Sequence, residues 1–331
     1  MKTVRLHAHG NLRLHNEPEP VPIAGEVRLQ VKAVGICGSD LHWFSEGGIG
    51  DARLEKPLIL GHEFAAITDS GERVAVDPAI SCRQCEQCRN GKQNLCPQVK
   101  FAGHGSQDGA LREFMPWPQD HLYHLPDALN DADGAMLEPL GVALHALDLS
   151  ELQSGMSVGV FGCGPIGLLI VQLVRLSGAS RIIATDKLIH RVEAARSLGA
   201  DQAILANSGQ EQSEIDAATG GRGVDVAFEV AGEQDAVEVS IAAAFPGGKV
   251  ILVGIPASDH TSFTASMARR KGLTIMLVRR MNRTYPRAIS LVARGLVDVR
   301  SLVTHHFPLE KSAKAFAVAM QREGLKVMIE M

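Results

Sequence analysis

Ser157-Val158-Gly159-Val160-Phe161-Gly162-Cys163-Gly164-Pro165-Ile166-Gly167 decides how the second half of this chain folds. The first five residues are a mostly apolar run of the kind found in a buried parallel strand, and residues 168–176 read as a helix. A lone GxGxxG is weak evidence. With a strand before it, a helix after it and Asp186 closing the next strand, Arg181-Ile182-Ile183-Ala184-Thr185-Asp186, it becomes a dinucleotide-binding fingerprint. Gly162 and Gly164 let the backbone approach a pyrophosphate, and Gly167 lets helix and strand pack closely. Pro165 and Ile166 belong to the same cofactor-binding turn, and the helix N-terminus faces the anion. Asp186 is placed to accept hydrogen bonds from ribose hydroxyls. It would repel a 2′-phosphate by about 4 kcal/mol per unit charge at about 4 Å and an effective dielectric of about 20, which favours NAD over NADP. Lys187 and Arg191 lean the other way.

Downstream, helical stretches at 189–198, 212–219 and 236–245 alternate with strands at 203–205, 224–230, 249–254 and 274–278. Repeated βα units of this length build a doubly wound parallel sheet of about six strands, a Rossmann domain. Beyond it come a helix at 286–293, a short segment at 302–307, another helix and a closing strand at 326–329, and pattern alone leaves their domain open. His305 and His306 are adjacent and so point to opposite faces of a strand, unsuited to sharing a metal.

Upstream, Val27-Arg28-Leu29-Gln30-Val31-Lys32-Ala33-Val34 alternates apolar and polar side chains, and Pro18, Pro20 and Pro22 interrupt the preceding residues. The chain therefore opens as an antiparallel β domain, with a further strand at 73–78 and a Gly-rich loop at 41–60 bordering substrate. At 331 residues it is long enough for two domains, and the fold class is α/β.

Two constellations carry chemistry. Cys37-Gly38-Ser39-Asp40 and Gly61-His62-Glu63 offer a thiolate, an imidazole and a carboxylate, the three side-chain types of a catalytic zinc site. Asp40 can fix the orientation of His62, while Ser39 and His42 can carry a proton from substrate to water. Glu138, in Ala135-Met136-Leu137-Glu138-Pro139-Leu140, is a carboxylate in apolar surroundings that needs a cation or a proton. Pro139 disfavours a helical conformation at Glu138, and zinc would make this residue a fourth, distant or water-bridged ligand. The second constellation, Cys82-x2-Cys85-x2-Cys88-x7-Cys96, lies in a segment with almost no apolar residues. Four thiolates around Zn²⁺ would fold it, and a closed four-cysteine site is structural. Cys163, the sixth cysteine, needs no function.

Composition narrows the rest. A net charge of −4 and 4% aromatic residues argue against a nucleic-acid surface. No long apolar run marks a leader or a membrane span, so a cytoplasmic protein is expected.

These residues resemble the zinc-dependent medium-chain dehydrogenases of the sorbitol (L-iditol, polyol) dehydrogenase group. The resemblance covers nearly the whole chain and is carried by Gly35-Ile36-Cys37-Gly38-Ser39-Asp40-Leu41-His42, Gly48-Ile49-Gly50, Lys56-Pro57, Leu60-Gly61-His62-Glu63, the four-cysteine lobe, Glu138-Pro139-Leu140, Gly164-Pro165-Ile166-Gly167 and Phe307-Pro308-Leu309-Glu310. It implies a GroES-like β-rich catalytic domain at 1–146, a Rossmann domain at 147–284 and a return to the first domain at 285–331. It further implies that Cys37, His62 and Glu63 hold catalytic zinc with Glu138 near the fourth position, and that Asp186 and Arg191 bind the adenosine ribose. Val253, Gly254, Ile255, Val278 and Arg279 fall at cofactor-binding positions, Arg280 and Trp43 at substrate positions.

The expected reaction is oxidation of a polyol or sugar-acid alcohol to a ketone by NAD, in a homo-oligomer, tetramer or dimer. Threonine, galactitol, L-idonate and butanediol dehydrogenases share the scaffold, and a non-catalytic NAD-binding protein is the reading outside enzymes. Three departures bear on the substrate. The chain is short between Glu63 and Arg73, and Trp43 and Met281 stand where the group commonly has Tyr.

Overall fold

The N-terminal alternation produces a hairpin, β1 (Lys2–Ala8) with β2 (Asn11–Asn16), and a long strand β3 (Glu26–Gly35) in the computed structural model, which describes residues 1–206 and 210–331. There follow α1 (Gly38–Glu46), β4 (Glu63–Thr68), β5 (Arg73–Val76), β6 (Phe114–Pro118), β7 (Leu122–His124) and α2 (Leu137–Ser150). The alternating stretch continues with β8 (Ser157–Phe161), α3 (Pro165–Leu176), β9 (Arg181–Asp186), α4 (Ile189–Ser197), β10 (Gln202–Leu205), α5 (Glu211–Thr219), β11 (Val224–Glu229), α6 (Gln234–Ala243), β12 (Ala244–Leu252), α7 (Ala265–Lys271) and β13 (Thr274–Leu277). The chain ends with α8 (Tyr285–Ala293), β14 (Val303–Pro308), α9 (Ser312–Gln321) and β15 (Lys326–Glu330).

Two compact units result, Met1–Gly141 with Asn282–Met331, and Val142–Met281. In the first, a seven-stranded sheet runs β7-β5-β4-β3-β15-β14, with β6 also paired to β3. The register that matters sets Gly35 of β3 opposite Glu63 of β4 on one side and Met328 of β15 on the other. Val31, Val34, Phe64, Val76, Trp117 and Ile329 form part of its buried core. Tyr285, stacked on Tyr123, donates its hydroxyl to Val76 O at 2.6 Å and so pins the returning segment. The β4–β5 hairpin closes tightly, with Thr68 N–H on Glu72 O and Gly71 N–H on Thr68 O, each at 2.9 Å.

Two local expectations are corrected here. Residues 41–46 of the expected 41–60 loop belong to helix α1, because Asp40 Oδ2 accepts the N–H of the N-cap residue Cys37 at 3.0 Å and Gly47, at φ 69°, stops the helix. Glu138 is helical despite Pro139. Both lie in the first turn of α2, where backbone N–H groups have no acceptor within the helix and proline forfeits nothing.

The second unit is a six-stranded parallel sheet in the order β10-β9-β8-β11-β12-β13. Its strands are apolar on both faces because helices cover both, and Val158, Val160, Ile182, Phe228 and Ile251 are essentially inaccessible. Helix α3 starts at Pro165, earlier than its apolar pattern suggested, since proline suits a first helical position. Strand order reverses between β8 and β11, which opens a crevice at the carboxyl ends of the strands. Among the described residues no helix is long and apolar enough to cross a membrane.

Candidate metal centres and cofactor site

Cys37 caps α1, and His62 and Glu63 lead into β4, so one helix start and one strand start deliver three donors. Their ligand atoms lie within 4.8 Å of one another. His62 and Glu63 are buried while Cys37 is half-buried, which leaves the thiolate side approachable. Asp40 knits the two segments. Besides capping Cys37, its Oδ1 accepts Gly61 N–H at 3.2 Å and stands 3.5 Å from His62 Nδ1. Burial alone would raise the Asp40 pKa, but the His62 charge and the two backbone donors hold it below the usual carboxylate range. Burial opposes the charged form of His62, yet Asp40 and Cys37 outweigh it and raise the imidazole well above its ordinary value.

The donor set fits zinc. It combines a thiolate, an imidazole and a carboxylate, and the buried Glu63 Oε2 makes no hydrogen bond of ordinary geometry. That oxygen does meet the Nζ of Lys326, on β15, in an ion pair. Asp40→Asn is expected to weaken zinc retention and kcat/KM by about 10–100-fold, since the partner that fixes the His62 ring is lost. Zinc content after graded chelator dialysis checks this, and unchanged retention would count against the positioning role.

Ser39 Oγ lies 3.4 Å from His62 Nε2, so the structure brings it to the cluster. His42, one turn along the same helix, is partly exposed, and its Nδ1 is 2.9 Å from Glu46 Oε1. Glu46 was not legible as a partner because α1 was read as loop. Glu138 is 4% exposed and outside the group of three. Burial pushes its pKa up to about 7, with His62 and Lys326 lowering it and Glu63 raising it, so it feels the cluster electrostatically.

Trp43 departs from expectation. It is 1% exposed in the core of the first unit and its indole N–H meets His104 Nδ1 at 3.3 Å, leaving no surface edge for a substrate. Met281 is buried as well. Arg280 is half-buried in the left-handed region at φ 55°, an uncommon conformation for a residue with a Cβ.

The four cysteine sulfurs of the 82–96 lobe also lie within 4.8 Å of one another, and none forms a disulfide. Backbone N–H groups of Cys82 and Cys85 point at Cys96 and Cys82 sulfurs at 3.4 Å, an arrangement that favours thiolates. Backbone donors at Gln84 and Cys85 pull the Cys82 pKa down to about 6. This set fits a closed structural zinc. Asn282 Nδ2 donates to Gly91 O at 2.9 Å and Arg283 Nε to Gln93 Oε1 at 3.0 Å, tying the lobe to the returning segment.

In the second unit the fingerprint turn fits a dinucleotide. A Cβ on Gly167 would sit 1.9 Å from Gly162 O and one on Gly162 2.7 Å from Ala231 N, whereas one on Gly164, the N-cap of α3, would make only an ordinary contact with Arg191 Nη1 at 3.9 Å, and this N-cap has no side-chain cap. Asp186 accepts from Cys163 N and Leu188 N at 2.8 Å each, and Arg191 Nη1 is 3.9 Å from it. Lys187 pairs with Glu233 and lies 3.8 Å from Asp235. Val253, Gly254 and Ile255 follow β12, and Val278 and Arg279 follow β13, so these residues gather at the carboxyl end of the sheet with Asp186. Glu229, at the end of β11, went unnoticed in the sequence as a fully buried carboxylate; it accepts Ala231 N–H at 2.8 Å and Gly232 N–H at 2.7 Å and braces the adjoining loops.

A β-rich unit with a zinc-type donor set and a parallel sheet with a dinucleotide fingerprint together define a zinc-dependent alcohol dehydrogenase that uses a nicotinamide cofactor. Residues 23–127 match the alcohol dehydrogenase GroES-like domain, and residues 165–294 match the zinc-binding dehydrogenase domain. The chain is 38% identical to sorbitol dehydrogenase of Bacillus subtilis (strain 168), over 99% of this chain and 97% of that protein. It is similar in fold to an Escherichia coli oxidoreductase/dehydrogenase of unknown specificity involved in membrane biogenesis, with a TM-score of 0.94, 30% identity and coverage of 99% and 98%. A 2R,3R-butanediol dehydrogenase from Bacillus subtilis follows at TM-score 0.88, 29% identity and coverage of 100% and 99%. The chain belongs to the zinc-dependent medium-chain dehydrogenases, within their sorbitol dehydrogenase-like group.

Proposed function

We propose that this enzyme oxidises a secondary alcohol of a polyol or sugar acid, of the sorbitol, xylitol or L-idonate type, to the ketone with NAD⁺ as oxidant. The observation that carries the reading is the grouping of Cys37, His62 and Glu63, with Ser39 beside it, in a chain 38% identical to a sorbitol dehydrogenase. When bound, zinc supplies a Lewis acid that eases deprotonation of an alcohol, and NAD⁺ supplies the hydride acceptor. Cys37, His62 and Glu63 would hold the metal, with Glu138 outside them. Ser39 would relay the hydroxyl proton, taking it up as it gives up its own, and His42, steadied by Glu46, would release a proton to water. The four cysteines would hold the structural zinc, and the Gly162–Gly167 turn the pyrophosphate.

A 2,3-butanediol substrate is the second reading. Its support is a fold that resembles that of a butanediol dehydrogenase, in a chain whose Trp43 and Met281 depart from the tyrosines common in the polyol group. NADH absorbance over sorbitol, xylitol, L-idonate, galactitol, 2,3-butanediol and L-threonine, before and after chelator dialysis, tests both. Polyol turnover that vanishes with zinc supports the first. Turnover of butanediol or threonine alone replaces it.

NAD preference is supported by Asp186 and by the pairing of Lys187 with Glu233 and its nearness to Asp235, which engage that ammonium with carboxylates. Asp186→Ser is expected to lower kcat/KM for NAD about 10–100-fold, the worth of one charged hydrogen bond of about 1.5–3 kcal/mol, and to raise the NADP/NAD ratio. A wild-type enzyme that prefers NADP would refute this. We also infer a cytoplasmic homo-oligomer, dimer or tetramer. The support is β13, an edge strand with Leu277 75% exposed; Ile255, three residues past the Leu252 that pairs with Leu277, is 49% exposed. Leu277→Lys should shift the sedimenting species toward monomer, and an unchanged assembly would move the interface elsewhere.

A further inference from the structure

Lys326 is a buried ammonium that the proposed chemistry leaves unused. It is 3% exposed, at the start of the last strand, and its Nζ pairs with Glu63 Oε2. A lysine is rarely this buried unless something holds its charge.

The route by which it reaches Glu63 is built into the sheet. Gly35 lies between Glu63 on β4 and Met328 on β15. A Cβ at Gly35 would fall 2.3 Å from Glu63 Oε2 and 2.9 Å from the Lys326 Cε. The missing side chain of β3 is therefore the space in which carboxylate and ammonium meet, and Glu63 Oε2 makes no other hydrogen bond there.

We propose that Lys326 is a resident counter-cation of the Cys37–His62–Glu63 cluster: it draws the Glu63 carboxylate toward itself, keeps the anionic donors together when no ion is bound, and so moderates how tightly the metal is held. The inference rests on reading those three residues as metal ligands. An incoming dication must compete with the ammonium for Glu63 and is repelled by it. Removing the ammonium frees the carboxylate for the metal but leaves it buried and unpaired when the metal is gone.

The test compares Lys326→Met with wild type, full-length, in zinc-loaded and chelator-stripped forms. Zinc per chain and zinc affinity are read by competition with a chromogenic chelator, and thermal midpoints are read for both forms. The expected result is zinc held about tenfold tighter or more, the Coulomb repulsion being gone, with a midpoint that falls clearly in the stripped protein and little in the loaded one. Unchanged affinity with equal falls in both forms would overturn the proposal and make Lys326 a packing residue. Should the stripped variant fail to fold, the Lys326→Met/Glu63→Gln double variant decides. A folded stripped double variant shows that the unpaired carboxylate was the fault, and an unfolded one overturns the proposal. A wild-type chain that takes up zinc only at the four cysteines would overturn the ligand reading itself, an outcome distinguishable from the others by stoichiometry.

Discussion

Cys37→Ser is expected to release the cluster zinc, leave the other zinc in place, and lower kcat/KM by about three orders of magnitude or more, because the Lewis acid contributes several kcal/mol to the barrier and each 1.36 kcal/mol is tenfold. The fold should survive. Asp40 Oδ2 holds the backbone N–H of residue 37 at 3.0 Å, and a serine hydroxyl can take the place of the sulfur in the capping box, so α1 keeps its start. His62 and Glu63 remain, yet two donors with a hydroxyl in place of a thiolate form a poor zinc site. Metal content by atomic spectroscopy alongside NADH formation checks the result. A variant that keeps both zincs and most of its rate would show that Cys37 is not a ligand.

Cys88→Ser carries the largest expected effect on structure. The 82–96 lobe has almost no apolar residues to bury, and its buried Cys88 and Cys96 lie with Cys82 and Cys85 in one cluster of sulfurs. Structural zinc contributes an apparent ~10–16 kcal/mol to the folding of small sites. That is as large as the ~5–15 kcal/mol net stability of a whole domain. A lobe stripped of one ligand has nothing of comparable size to replace it, and its ties through Asn282 and Arg283 to the returning segment loosen with it. Proteolytic nicking within 82–96, with one zinc lost per chain, is the expected readout. A lobe that resists protease without zinc and is broken by reductant instead would be a disulfide structure.

Much of the second unit was legible. The apolar runs of β8, β9 and β11, the glycines after β8 and the acid ending β9 are local signals, and each predicts its element because parallel strands buried on both faces leave little choice of residue. The four-cysteine spacing is equally local. Residues of the first cluster could be named from Cys37 and Gly61-His62-Glu63, but the surroundings could not. Helix α1 was hidden because Asp40, whose side chain reaches back to the N-cap Cys37, reads in the sequence as a partner of His62, and because its apolar side chains are few. The helical conformation of Glu138 escaped the reading because the restriction on a residue before proline is overridden in this first turn, and the burial of Trp43 because it depends on strands distant in sequence.

By itself, then, the sequence determined the order of elements in the parallel sheet, the cofactor turn and the two sets of metal donors, all of which are written within short spans of chain. Only the tertiary structure decided what stands behind those donors. Lys326 reaches Glu63 from the far end of the chain because β15 inserts beside β3 in one register, with a glycine between them. Register follows from the packing of whole strands against a shared core, and no residue's local preference encodes it.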